Sequence, residues 1–84
     1  MDMYKRANEL VVEAMKAAEN ETGYEAAKKV GEYMAEQGHP HASYTRDEIW
    51  NGRNGEFTDE EMIKEIAERM ASLIAENEML AEEE

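Results

Sequence analysis

Along this chain the apolar residues recur at three- and four-residue intervals, and each such run begins beside a polar residue suited to cap a helix. Tyr4, Ala7, Val11, Ala14, Met15 and Ala18 share one helical face, with Leu10 at its edge, which predicts a helix over residues 3–20. Ala26, Ala27, Val30, Tyr33 and Met34 predict a second helix over 23–37. Gly38 supplies the left-handed stop and Pro40 follows it. A short helix over 46–51 and a long one over 59–82 complete the pattern. Thr22-Gly23-Tyr24-Glu25, Thr45-Arg46-Asp47-Glu48 and Thr58-Asp59-Glu60-Glu61 each read as a capping box. In such a box the hydroxyl accepts from the N3 amide while the Glu reaches back to the cap amide. Asp2 can cap the first helix in the same way.

The expected fold is therefore all-α: a small bundle of three main helices plus one short helix in the 38–58 connection, as a single domain over 1–84. Asn51-Gly52 and Asn54-Gly55 are turn dipeptides within that connection. Gly31 sits inside the second helix, where Gly costs about 1 kcal/mol relative to Ala. Close approach of another backbone would account for it.

The last helix carries two stripes. Ile63, Ile66, Met70, Leu73, Asn77 and Leu80 follow heptad a and d spacing, with Asn77 at an a position, where a buried Asn can fix register in a two-stranded coiled coil. Ala67, Ile74 and Ala81 widen the stripe to about 140°, a width suited to a globular core. The helix also outreaches the second by about two turns of 5.4 Å. Packing within one chain and packing continued into a homodimer through Met70, Leu73, Asn77 and Leu80 are thus both open. On the opposite face lie Glu61, Glu65, Glu68, Glu76 and Glu83, with Ser72 and Met79 between them. Five acids over about 33 Å amount to one per roughly 6–7 Å of axis. Duplex DNA presents a charge every ~1.7 Å, so one helix can imitate a nucleic acid only in part.

Charge turns this pattern toward function. The 84 residues carry 9 Lys and Arg against 21 Asp and Glu, a net of −12. Residues 1–42 hold five cations and eight acids, net −3, whereas 43–84 hold four and thirteen, net −9. Such a chain repels nucleic acid and anionic membrane and is drawn to basic surfaces. With no cysteine there is no disulfide, thiolate nucleophile or thiolate metal ligand. No run reaches the ~18 apolar residues of a membrane span, and the N-terminal segment is not the apolar block of a signal peptide. A soluble protein of the cytoplasm is expected, in the host cytoplasm if a phage encodes it.

Candidate chemistry is sparse. His39-Pro40-His41 lacks a third ligand of defined spacing and reads as surface loop histidines. Residues 50–61 can be laid over a calcium loop, but Trp50 and Gly52 fall where ligand oxygens are required. No phosphate loop or nucleophile context is present, so neither enzyme activity nor a cofactor is expected. Tyr44, Ile49, Trp50 and Phe57 gather bulky side chains in the irregular segment, either as a lid on the bundle or as an exposed anchor. The expected partner-binding residues are Tyr44, Asp47, Glu48 and Trp50 of the short helix and Glu56, Glu61, Glu65 and Glu68 beyond it.

In its charge character, and in no motif, the chain is similar to the small acidic inhibitors that phages and mobile elements carry. Such inhibitors occupy the nucleic-acid-binding grooves of host nucleases, CRISPR effectors or restriction enzymes. The expected function is accordingly a non-enzymatic inhibitor that binds a basic protein surface, with no direct contact to nucleic acid or membrane. The alternative is a homo-oligomeric structural or adaptor module assembled through the last helix.

Overall fold

A computed structural model describes residues 2–83, apart from the Glu83 side chain. Glu84 and the Glu83 side chain, part of the expected acidic stripe and tail, lie outside the described residues. Within them the chain is all-helical: α1 (Met3–Ala17), α2 (Gly23–Glu36), α3 (Ala42–Asn51) and α4 (Asp59–Glu83). Each of the first three helices packs against α4.

Helix α1 starts where Asp2 accepts from the backbone N–H groups of Tyr4 and Lys5, at 3.1 and 3.2 Å. It ends at Ala17, three residues short of the expected end, as the chain turns at Ala18. Its buried line runs through Leu10, Ala14 and Ala18, with Ala7 and Val11 packed alongside. Leu10 is thus central to the core and not at its edge, while Tyr4, expected inside, is 82% exposed. The rotation brings the small alanines of α1 toward α4 and carries Arg6 to Glu78. Their side chains form two parallel bonds, Nε to Oε2 at 2.8 Å and Nη2 to Oε1 at 3.0 Å.

Helix α2 buries the expected Ala26, Ala27, Val30 and Met34, with Tyr33 partly buried. Its C-terminus is closed as Gly38 predicts. Gly38 has φ +105°, its N–H donates to Ala35 O at 3.1 Å, and the His39 N–H donates to Met34 O at 3.0 Å. Gly31 has a different reason from the expected one. A Cβ there would lie 3.1 Å from Cδ of Arg46, so the glycine makes room for a side chain of α3, not for a backbone.

Only one of the three capping boxes closes. Thr58 accepts from the Glu61 N–H at 3.2 Å and donates its own N–H to Glu61 Oε1 at 3.1 Å, which starts α4. Thr22 precedes α2 without a side-chain bond, where Gly23 takes a left-handed φ of +59°. Thr45 lies inside α3, because that helix begins at Ala42, four residues before the expected start, and the Thr45 N–H already donates to His41 O at 2.8 Å. Ala42 and Arg46 are buried, and Ile49 and Trp50 pack against the core, so the true inner face of α3 has helical spacing from Ala42 onward.

Helix α4 spans 25 residues, about 37 Å. It buries Ile63, Ile66, Ala67, Met70, Ala71 and Ile74 in the shared core. Met70 is fully buried there, so it belongs to the intramolecular core and is not available to a second chain. Asn77 is exposed, as are Leu73 at 38% and Leu80 at 51%. The heptad stripe therefore parts after Met70. Its inner continuation, Ile74 and Ala75, stays in the core while Leu73, Asn77 and Leu80 face outward.

The account of Gly31 is testable by a double-mutant cycle. Gly31→Ala should gain less than the ~1 kcal/mol of helix propensity, or destabilise, with Arg46 present, and should recover that gain in an Arg46→Ala background. Urea unfolding of the four proteins reads this directly; equal effects of Gly31→Ala in both backgrounds would contradict it.

Candidate protein-binding face

The connection between α3 and α4 is held by stacked aromatic and cationic groups. Tyr24 of α2 meets Trp50 of α3 edge-on, with ring centroids 5.7 Å apart at 71°. The Arg53 guanidinium lies 4.3 Å from the Trp50 centroid and donates to Asp59 at the start of α4. Arg46 lies 5.5 Å from the Tyr24 ring centroid. Asp47 Oδ1 accepts from the Tyr24 hydroxyl at 2.6 Å and from Arg46 Nε at 3.1 Å. The bond from Arg46, then that from Tyr24, holds the Asp47 carboxyl below its ordinary range, and the same contact with Asp47 raises the Tyr24 phenol. Trp50 is thus partly buried between α2 and Arg53 and packs on the core, as a lid does.

Histidine 39 departs from the expected surface position. It is buried, and its Nδ1 accepts from the His41 N–H at 3.3 Å, just ahead of α3. Burial, then the nearby His41, lowers its pKa from the ordinary 6.5. His41 itself is exposed, and among the described residues no group of three or more His, Cys, Asp or Glu is placed to hold a metal ion.

The acids of the C-terminal half face a different environment. All four of its cations pair within the chain: Arg46 with Asp47, Arg53 with Asp59, Lys64 with Glu68 at 3.9 Å and Arg69 with Glu65 at 2.6 Å. Glu78 takes a fifth, Arg6 of α1, whose bonds lower its pKa. Glu48, Glu56, Glu60 and Glu76 have no cationic partner among the described residues.

Two adjoining clefts order part of this surface. The first, about 300 Å³, lies between the end of α3, the 52–57 loop and α4, with Ile49, Phe57 and Met62 among its walls and Glu48, Glu65 and Arg69 around them. The second runs along α4 through Glu65, Glu68, Arg69, Ser72, Leu73 and Glu76. Glu65 and Arg69 line both, so the two form one acidic and apolar track.

Of the expected partner-binding residues, the track gathers Glu48, Glu65 and Glu68. Tyr44, 71% exposed, and the exposed Glu56 line neither cleft. Asp47 and Trp50 are engaged inside the chain, and Glu61 closes its own helix cap. Met62 and Arg69 are members that sequence reading missed; the four-residue spacing of Glu65 and Arg69 was the available signal. No helix among the described residues is long and apolar enough to cross a membrane. Compared with protein-family models, with characterised proteins and with solved structures, the chain has no match in any of the three.

The burial of His39 sets a pH dependence. Between the ordinary value of 6.5 and its lowered folded value, the unfolded chain binds a proton that the native chain does not, so stability should fall as pH falls through that window. The contributions of Asp47 and Glu78 are lost only at lower pH, because both carboxyls lie below their ordinary range. Urea midpoints at about pH 7.5 and about pH 5.5 should therefore drop for the native chain and drop less for His39→Gln; an equal drop in both would contradict it.

Proposed function

We propose that this chain is a non-enzymatic binding protein that docks on a basic, nucleic-acid-binding surface of a partner and so blocks it, in the manner of an anti-defence or anti-CRISPR inhibitor acting in the cytoplasm. The observation that carries this reading is the internal pairing of all four cations of residues 43–84, beside the unpartnered Glu48, Glu56, Glu60 and Glu76. Acids already satisfied within the chain have little to gain from a partner, whereas unpartnered acids raise both its association rate and its specificity. Here α1, α2 and α4 are the supporting bundle and the short α3 sets Glu48 beside Glu65 of α4. Two helices contributing acids to one track also thicken the charge beyond what α4 alone offers, which suits partial mimicry of a nucleic-acid backbone.

The test is capture of partners by the immobilised chain at about 50 mM and about 500 mM salt, with and without added duplex DNA. Nucleic-acid-binding proteins should be retained at low salt and released by high salt or by the DNA. Retention equal under all conditions would contradict the reading.

A second reading, a homo-oligomeric structural or adaptor module, is favoured by the exposed Leu73, Asn77 and Leu80 on one side of α4. In that case light scattering shows a concentration-dependent dimer, and Asn77→Leu strengthens it or alters its stoichiometry. A monomer at every concentration, unaffected by Asn77→Leu, rules that module out.

A further inference from the structure

We infer that the outer track of α4 is a receptor groove for a basic amphipathic helix of the partner. This rests on the basic-partner reading above and adds the form in which the partner presents its charge.

The geometry begins at α3. That helix packs against α4 near Met62, which is buried, and it ends at Asn51. Beyond it the same side of α4 is exposed at Arg69, Leu73, Glu76 and Leu80, and no other helix among the described residues lies on it. Met62, Arg69, Leu73 and Leu80 succeed one another at spacings of seven, four and seven residues, which keeps them on one line of the helix. From Met62 to Leu80 the line is about 27 Å long, five turns. Ile49 and Phe57 close its upper end. Its two exposed apolar residues, Leu73 and Leu80, stand about two turns apart, as the anchors of a helix-in-groove site do.

Charge selects the occupant. Glu48, Glu65, Glu68 and Glu76 rim the track, and only Glu65 and Glu68 have cations beside them, both from α4 itself. A second copy would bring a further net charge of −12 and the same glutamates to the contact, which opposes self-association. A helix with leucine-type residues on one face and Lys or Arg beside them would cover Leu73 and Leu80 and set its cations against the acidic edge formed by Glu65, Glu68 and Glu76. Among the described residues there is no strand, so no open sheet edge offers an extended peptide a backbone ladder.

The test uses the full chain and two synthetic peptides of about 18 residues, the length of the track. Both contain the same Lys, Arg and Leu residues. In one the leucines recur at helical spacing; in the other the order is scrambled so that no apolar face forms. Calorimetric titration at low salt should show the amphipathic peptide binding at least tenfold tighter. Leu73→Glu combined with Leu80→Glu should reduce its affinity at least tenfold, while Val12→Glu on α1 leaves it unchanged. Because the two new carboxylates add to the attraction for a cationic peptide, a loss can arise only from the apolar contact. Circular dichroism of the variants excludes unfolding as the cause. Equal binding of both peptides overturns the groove while leaving the basic-partner reading in place. Absence of binding to either peptide overturns both. A concentration-dependent dimer without peptide, abolished by the same two substitutions, makes the second copy the occupant and overturns the groove.

Discussion

A straight α-helix cannot hold a seven-residue apolar repeat against one neighbour, because 3.6 residues per turn shifts the stripe by about 20° per heptad. Helix α4 meets this constraint over its whole length, and the rest of the molecule is arranged around the outcome. Through Met70 its heptad positions coincide with the core. Beyond Met70 the buried line passes to Ile74 and Ala75, and ends where Glu78 binds Arg6 of α1. Leu73, Asn77 and Leu80 are left on the outside. A coiled coil would have bent α4 to follow the stripe; here the alanines of α1 and the Arg6–Glu78 pair fix it on the other path.

The second organising feature is scarcity of cations. Each Lys or Arg of the C-terminal half lies within reach of a carboxylate, and the two nearest the connection also stack on rings. The exposed pairs among them, Lys64–Glu68 and Arg69–Glu65, contribute only ~0–1 kcal/mol each, so the fold rests on the apolar core and not on them. Their larger effect is on placement. Arg46 fills the space that Gly31 leaves, Arg53 ties the connection to the start of α4, and the acids that remain unpartnered face solvent. Repulsion among those acids works against the compact state and attracts any basic partner by the same physics.

Much of this was legible in the residues. The Asp2 cap, the Gly38 stop, the Thr58–Glu61 box and the inner face of α2 follow from local chemistry, and each lies where its pattern predicts. Two of the failures have one cause, a tertiary contact outweighing a local signal. Arg46 reads as a solvent-facing charge, so the inner face of α3 is invisible until its side chain is seen against Gly31. Thr45 has the form of a cap but sits within a helix whose start is set by Ala42 burial and the His39–His41 contact. For the candidate binding face, net charge pointed only to the C-terminal half of the chain. It could not show that Glu48 and Glu65 share a cleft, because that depends on how α3 is docked on α4. Nor could it show that Trp50 is covered by Tyr24 and Arg53.

The central claim is that the outward half of the α4 stripe is open to solvent in the free chain while the inward half is sealed. Methyl NMR with a soluble paramagnetic probe reads both halves in one experiment. The account predicts strong relaxation of the Leu73 and Leu80 methyls and little at Met70 and Ile74, at every protein concentration. Protection of Leu73 and Leu80 equal to that of Met70 would contradict it.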